Sequence, residues 1–150
     1  MSKLPLSSEP VSRLNELLQD VNFGMLTTVE QDGNLRSRPM TSQQIAFDGD
    51  LWFFTKLGSS LVDDIRANPH VNVALAAPNK NRYVSASGEA KIVQDHWRME
   101  ELWNPSYKTW FPQGLDEPEL VLLRVIVCHA EFWDPSKSCM VRLIGSSRSG

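Results

Sequence analysis

Residues 23–40 read FGMLTTVEQDGNLRSRPM, and the fold is predicted outward from this stretch. The run from Phe23 to Glu30 is apolar and β-branched, and Gln31-Asp32-Gly33-Asn34 after it is typical of a tight turn. A second extended run continues from Leu35 to Phe47, where Asp48-Gly49 marks another turn. Two strands joined by a short turn predict an antiparallel hairpin, and the second turn predicts that the sheet continues as a meander.

The rest of the chain alternates strand-forming segments with short helical ones. We expect strands at Leu51 to Thr55, Val71 to Ala76, Tyr83 to Val93 and Leu120 to Trp133. We expect helices that begin at Ser8 or Glu9, at Ser60 and at Asp95, which caps the third one. Crossovers long enough for parallel βαβ units are mostly missing. The pattern therefore predicts a mainly β protein, an antiparallel barrel of about six strands.

The length and composition predict one soluble globular domain that is not a general nucleic-acid binder. The chain has 150 residues, of which 41% are hydrophobic and 22% charged, and its net charge is −3. We expect a single domain over 1–150, with its core at about 10–135 and a flexible Ser/Gly-rich tail at 145–150. An acidic balance argues against general binding of nucleic acid, although a local basic site for a small anion remains open.

The sequence also predicts a cytoplasmic protein that does not bind a membrane. The N-terminus has no apolar signal core, and Arg124 interrupts the most apolar stretch far short of a membrane span. Cys128 and Cys139 form no CxxC motif and are too few for a secreted disulfide framework.

Common catalytic and metal-binding motifs are missing from the sequence. It contains no GxGxxG, GxxxxGK[ST], GxSxG or HExxH, and His70, His96 and His129 are scattered, so we expect no metal site. Cys128 and His129 are neighbours on a predicted strand and should point to opposite faces, with Cys128 in the core. Any redox chemistry would thus come from a bound cofactor.

Arg36 and Arg38 lie two residues apart on the predicted second strand, so they share a face with Met40. Two adjacent guanidinium groups repel each other unless solvent or an anion lies between them, and a phosphate suits both. The alternative is a solvated outer face with two ordinary arginines. Pro39 cannot donate to a ladder, which places this part of the strand at an edge, a bulge or a kink.

Residues 55–61, TKLGSSL, join a predicted strand to the start of a predicted helix. Helix N-termini attract anions through their free backbone N–H groups, and the hydroxyls of Ser59 and Ser60 can add hydrogen bonds. The alternative is that Ser60 only caps the helix, with Asp63 completing a capping box. Asp63 and Asp64 would moreover oppose a nearby phosphate.

Aromatic residues are frequent next to this turn and in the C-terminal half of the chain. They are Trp52, Phe53, Phe54, Trp97, Trp103, Trp110, Phe111 and Trp133. Most should be core residues, but a few could form the wall of a slot for a flat ring. The basic strand, the start of the helix and the aromatic wall together predict a site for a phosphorylated planar ligand.

These residues also carry a family resemblance. The matching segments are Gly33 to Met40, Asp50 to Thr55, Tyr83 to Ala90, Glu101 to Trp103, Trp110 to Gly114 and Ala130 to Asp134. In this order they resemble the FMN-binding split-barrel superfamily related to pyridoxamine 5′-phosphate oxidase, in its general-stress-protein branch. The resemblance covers roughly residues 10–135.

The resemblance implies a six-stranded, Greek-key split barrel with flanking helices, and a homodimer with two FMN sites at the subunit interface. Arg38, supported by Arg36, would bind the FMN phosphate, and Phe54 and Thr55 would meet the isoalloxazine. The remaining cofactor contacts that it implies are Pro39, Met40 and Gln43 along the phosphate and ring edge, Lys56, Ser59, Ser60 and Leu61 at the phosphate turn, and Trp103, Trp110 and Phe111 from the partner subunit.

Two positions depart from the family pattern. Members often carry a basic residue where this chain has Leu61, and the oxidase relatives tend to have one where it has Gln43. The loss of one charge-assisted contact costs about 1.5–3 kcal/mol. Lys56 lies five residues before Leu61 and is a candidate replacement.

The function implied is that of an FMN-dependent oxidoreductase that exchanges electrons or hydride with a small molecule. The alternative is a flavin-binding sensor or store without turnover. A third possibility keeps the fold but replaces FMN with a deazaflavin, haem or another tetrapyrrole.

Overall fold

The computed structural model describes residues 9–19, 21, 23–41, 48–135 and 138–142 and contains one antiparallel sheet. Its strands are β1 (Phe23–Val29), β2 (Leu35–Thr41), β3 (Asp50–Lys56), β4 (His70–Ala77), β5 (Arg82–Val93), β6 (Leu120–Trp133) and β7 (Ser138–Arg142). The helices are α1 (Glu9–Gln19), α2 (Ser60–Ala67) and α3 (His96–Leu102), with short 3-10 helices at Pro78–Lys80, Pro105–Thr109 and Gly114–Asp116. In the described ranges, no helix has the length and apolarity that a membrane span requires.

The strand order confirms the predicted antiparallel, mainly β fold. Neighbouring strands follow the order β2-β1-β4-β5-β6-β3, and the sheet curls into a half-barrel. The turn between β1 and β2 forms as predicted: Gly33 has a φ of 89°, and Glu30 N donates to Asn34 O at 2.7 Å. The expected extension of this run to Phe47 falls at 42–47, outside the described residues, as does the tail at 145–150.

One strand was not predicted. β7 pairs with the second half of β6, at His129 to Trp133, whereas β3 pairs with the first half, at Leu120 to Ile126. β5 occupies the opposite edge of β6 along most of its length. β6 is therefore the central strand that holds both β3 and β7 in place.

The core has two parts, and β3 contributes to both. Leu51 and Phe53 face the main core, which α1 and α2 help to enclose. Trp52 and Phe54 point the other way, into a smaller cluster with residues of α3 and of the segment that follows it. Because both faces of β3 are covered, five consecutive residues are buried, and the usual alternation of polar and apolar positions is lost.

α1 closes one side of the main core with the periodicity predicted from the sequence. Its buried face contains Val11, Leu14, Leu17 and Leu18. Arg13 Nε and Nη2 donate to Asp134 Oδ2 at 3.0 and 2.8 Å, which ties the helix to the end of β6.

A β-bulge between β5 and β6 corrects the prediction for Cys128. The register shifts at Ser87/Gly88, where a Cβ on Gly88 would lie 2.0 Å from Ile126 O, so only glycine fits. The bulge breaks the alternation of side chains on β6. Cys128 is consequently exposed rather than in the core, and it lines the same outer groove as His129 instead of pointing to the opposite face.

Candidate functional site

Arg36 and Arg38 extend from one face of β2 toward the start of α2, which confirms that they share a face. Arg36 Nη1 and Arg38 Nη2 donate to the Ser60 hydroxyl oxygen at 3.2 and 3.1 Å. β2 ends the strand order, so Pro39 removes no ladder bond on its outer side, as expected for an edge strand. The two guanidinium groups converge on one hydroxyl at a helix N-terminus, and we call this group of three residues the arginine site.

Arg38 is fixed in this position by a closed set of hydrogen bonds. Its Nη1 donates to Thr28 Oγ1 at 2.8 Å, and its Nη2 donates to Asp64 Oδ2 at 2.9 Å. Thr28 Oγ1 donates in turn to Asp64 Oδ2 at 3.1 Å. The side chains of Arg38 and Asp64 are only 13% and 10% exposed. Asp64, which was expected to oppose a phosphate, is the direct ion-pair partner of Arg38.

Arg36 has a looser environment. Its side chain is 50% exposed, and Nη1 lies 4.0 Å from Glu30 Oε2. An exposed pair at this distance contributes little to stability. Arg36 therefore offers the more accessible positive charge of the site, and Arg38 the more rigid one.

The cap of α2 differs from the expectation by one residue. Ser59, with extended backbone angles, is the N-cap, and its hydroxyl oxygen accepts from Val62 N at 3.4 Å. Ser60 is the first helical residue, so a capping box of Ser60 and Asp63 does not form. As a result, the Ser60 hydroxyl is available to the two arginines, while Ser59 Oγ donates to Lys56 O at 2.8 Å.

The two other residues predicted at this turn face away from the arginine site. Leu61 is 3% exposed and packs in the main core. Lys56 Nζ donates to Glu117 Oε1 at 2.8 Å. Neither side chain brings a positive charge to Ser60.

Glu117 is a supporting residue next to the site that the sequence did not reveal. This buried carboxylate lies on the segment between α3 and β6, and its Oε2 accepts from Gln113 N at 2.7 Å. Its pKa is lowered from the ordinary value of 4.5, first by the hydrogen bond from Lys56 and then by that from the Gln113 backbone. Glu117 thus fastens this segment between α3 and β6, which we call the connector, to the end of β3. An isolated glutamate in such a segment gives no sequence signal of this contact.

An aromatic cleft of about 150 Å³ opens beside the arginine site. Its lining comes from β2 (Pro39, Met40, Thr41), from β3 (Phe54, Thr55) and from the connector (Tyr107, Trp110, Phe111). Thr55 Oγ1 is 3.4 Å from Ser59 Oγ, so the cleft and the start of α2 are contiguous. Tyr107 was not among the predicted site residues.

The wall of the cleft is built from packed aromatic rings. Phe54 contacts Trp103 edge to face, with ring centroids 5.3 Å apart, and lies 5.9 Å from Tyr107 and 6.5 Å from Phe111. Trp110 is 55% exposed at the mouth. The predicted aromatic wall therefore forms, and Trp110 and Phe111 reach the cleft of their own chain, with Trp103 behind it.

The chemistry of this arrangement is that of binding. Of the residues that line the cleft in the described part of the chain, none carries a carboxylate, an imidazole or a thiol. The site combines two guanidinium groups with a flat apolar slot, which suits an anion attached to a planar ring. Gln43 lies outside the described residues.

Comparisons with known proteins agree with this fold. The sequence model of the family described as "Pyridoxamine 5′-phosphate oxidase like" matches residues 9–149. Protein bli-3 of Neurospora crassa is 28% identical over 141 residues, which cover 87% of this chain and 67% of that protein.

Two solved structures resemble the chain in both sequence and fold. General Stress Protein 26 from Bacillus anthracis strain Sterne is 27% identical, with a TM-score of 0.76 over 88% of this chain and 97% of that one. The general stress FMN/FAD binding protein of Xanthomonas citri is 29% identical, with a TM-score of 0.69 over 88% of this chain and 93% of that one. The resemblance found in the sequence is thereby confirmed.

The Glu117 contacts predict a pH dependence of stability. Because its pKa is lowered in the folded protein, Glu117 stabilises the fold above the ordinary carboxyl pKa, and this contribution is lost as the pH falls through the lowered value. We expect Glu117→Gln to lower the thermal unfolding midpoint at about pH 7. The difference in midpoint from the wild type should become smaller as the pH is lowered toward about 3. Thermal unfolding of both proteins across this range measures the difference.

The control for this experiment is Glu101→Gln. Glu101 pairs with Arg98, but its side chain is 63% exposed, so its removal should change the midpoint little at any pH. A difference between wild type and Glu117→Gln that stays constant with pH would contradict the assignment.

Proposed function

Because this chain belongs to the pyridoxamine 5′-phosphate oxidase-like family, we propose that it is a flavoprotein that binds FMN. The observation that carries the proposal is the convergence of Arg36 and Arg38 on the Ser60 hydroxyl directly beside an aromatic cleft. The general stress protein of Xanthomonas citri, which binds FMN/FAD by its description, supports the choice of a flavin.

The residues present fit the two ends of such a cofactor. Its phosphate would lie against Ser60, where the two guanidinium groups and the first-turn N–H groups of α2 provide donors. Its ring would enter the cleft, with Phe54 and Thr55 on one side and Trp110 on the other. Thr55 and Ser59 mark the passage between these two parts.

We further propose that the protein is a flavin-dependent oxidoreductase whose partner is a small molecule that donates or accepts electrons. A bound flavin supplies hydride or electron transfer, which no side chain of the cleft provides. The chain holds the phosphate, keeps water from one face of the ring and leaves the mouth beside Trp110 open to a substrate. The cytoplasmic location remains a prediction from the sequence.

A homodimer is part of the proposal. The outer face of the sheet exposes Leu35 (73%), Met25 (42%), Tyr83 (42%) and Trp133 (40%), a composition typical of interfaces. The cleft is also smaller than the roughly 300–1,000 Å³ of usual ligand pockets, so a second copy would complete it. Sedimentation of the purified protein, with an expected mass of twice 17.0 kDa, tests this assembly.

We expect Arg38→Ala to weaken FMN binding more than tenfold, or about 1.4 kcal/mol. The substitution removes a guanidinium group and leaves the buried Asp64 carboxylate to repel the phosphate. Quenching of flavin fluorescence at physiological salt gives the dissociation constants.

The matched control is Arg66→Ala, which removes an exposed arginine in the last turn of α2 and should leave binding unchanged. An Arg38→Ala protein that remains folded and binds FMN as tightly as wild type would show that the phosphate lies elsewhere. Wild-type binding weaker than about 100 μM would rule out the flavoprotein proposal.

The second candidate is a flavin-binding sensor or store without turnover, on the same fold. The lining of the cleft favours it, since none of the described residues there carries a carboxylate, an imidazole or a thiol for proton transfer. Steady-state oxidation of NADH or NADPH by the FMN-loaded protein separates the two, because a sensor would not exceed free flavin. The absorption spectrum of the freshly purified protein identifies a deazaflavin, haem or other tetrapyrrole if one replaces FMN.

A further inference from the structure

Neighbouring carboxylates offset the positive charge of the arginine site. Arg38 is paired with Asp64 at 2.9 Å, and Arg36 lies 4.0 Å from Glu30. The two positive charges are thus matched by two carboxylates. Leu61, at the same helix start, adds none because it is apolar and buried.

A third carboxylate lies close to the turn before α2. A Cβ on Gly58 would be 3.3 Å from Glu119 Oε1, which places the Glu119 side chain directly beside this turn. Asp63 adds a further negative charge in the first turn of the helix. A phosphate at Ser60 would therefore meet at least as many negative groups as positive ones.

Three of the five N–H donors of Arg38 are also in use. Nη1 is bonded to Thr28, and Nη2 is shared between Ser60 and Asp64. A phosphate monoester carries a charge of about −1.5 to −2 at pH 7, so it gains from Arg38 but is repelled by the carboxylate directly behind it. Since this ion pair is nearly buried, salt screens the repulsion only weakly.

We infer that the ring, and not the phosphate, selects the ligand of this protein, so that it binds riboflavin nearly as tightly as FMN. Asp64 is the specificity-determining residue, because its charge cancels that of Arg38. The inference rests on the proposed function, since it concerns the same site. It extends the ligand class from FMN to flavins with and without a terminal phosphate.

The test compares the dissociation constants of FMN and riboflavin for the wild-type protein, measured by fluorescence quenching in one buffer. We expect FMN to bind less than tenfold more tightly than riboflavin. A preference for FMN greater than tenfold would overturn the inference while leaving the proposed function intact. If neither flavin binds, the proposed function fails, and the inference fails with it.

A substitution at Asp64 then tests whether its charge is the cause of the weak preference for FMN. Asp64→Asn removes the charge but keeps an oxygen that accepts from Arg38, so it should tighten FMN binding about tenfold and change riboflavin binding less than threefold. The control Glu101→Gln removes an exposed carboxylate on α3, outside the site, and should change the ratio of the two constants less than threefold. An unchanged ratio in a folded Asp64→Asn protein would overturn the role of Asp64. If that variant does not fold, the wild-type comparison still decides the inference.

Discussion

The hydrogen bonds that hold Arg38 between Thr28, Asp64 and Ser60 are the interaction on which the candidate site depends. Two guanidinium groups repel each other, and the adjacent carboxylates reduce this repulsion where both approach one hydroxyl. The same carboxylates reduce the attraction that the site exerts on an anion. The architecture that stabilises the site without a ligand therefore limits what the site gains from a phosphate.

The contacts of β3 determine how the two halves of the site meet. Its end provides Phe54 and Thr55 to the cleft, and the next few residues form the turn that begins α2. Lys56 then joins this end of the strand to Glu117 on the connector. One short segment thus positions the arginine site, the floor of the cleft and its aromatic wall relative to each other.

The features predicted correctly from the sequence are those set by local rules. The common face of Arg36 and Arg38 follows from the two-residue period of a strand, and the β1–β2 turn follows from the backbone freedom of Gly33. The predicted start of α2 at Ser60 is confirmed, but the cap was assigned one residue too late, because Ser59, with extended backbone angles, occupies the capping position.

The features that were missed depend on partners distant in the chain. Glu117 is 61 residues from Lys56, and no pattern in the intervening sequence indicates their contact. The exposure of Cys128 results from a bulge that the approach of Gly88 to Ile126 imposes. β7, by contrast, pairs with the neighbouring end of β6, where Trp133 is partnered with Ser138.

Because both faces of β3 are covered, the side chains on the two sides of the cleft are restrained to different degrees. Phe54 packs against Trp103, Tyr107 and Phe111, so its displacement would disturb a tightly filled cluster. Trp110 is more than half exposed and is therefore less restrained by packing. One side of the cleft is thus fixed by packing, whereas the other can adjust to rings of unequal width without a change in the sheet.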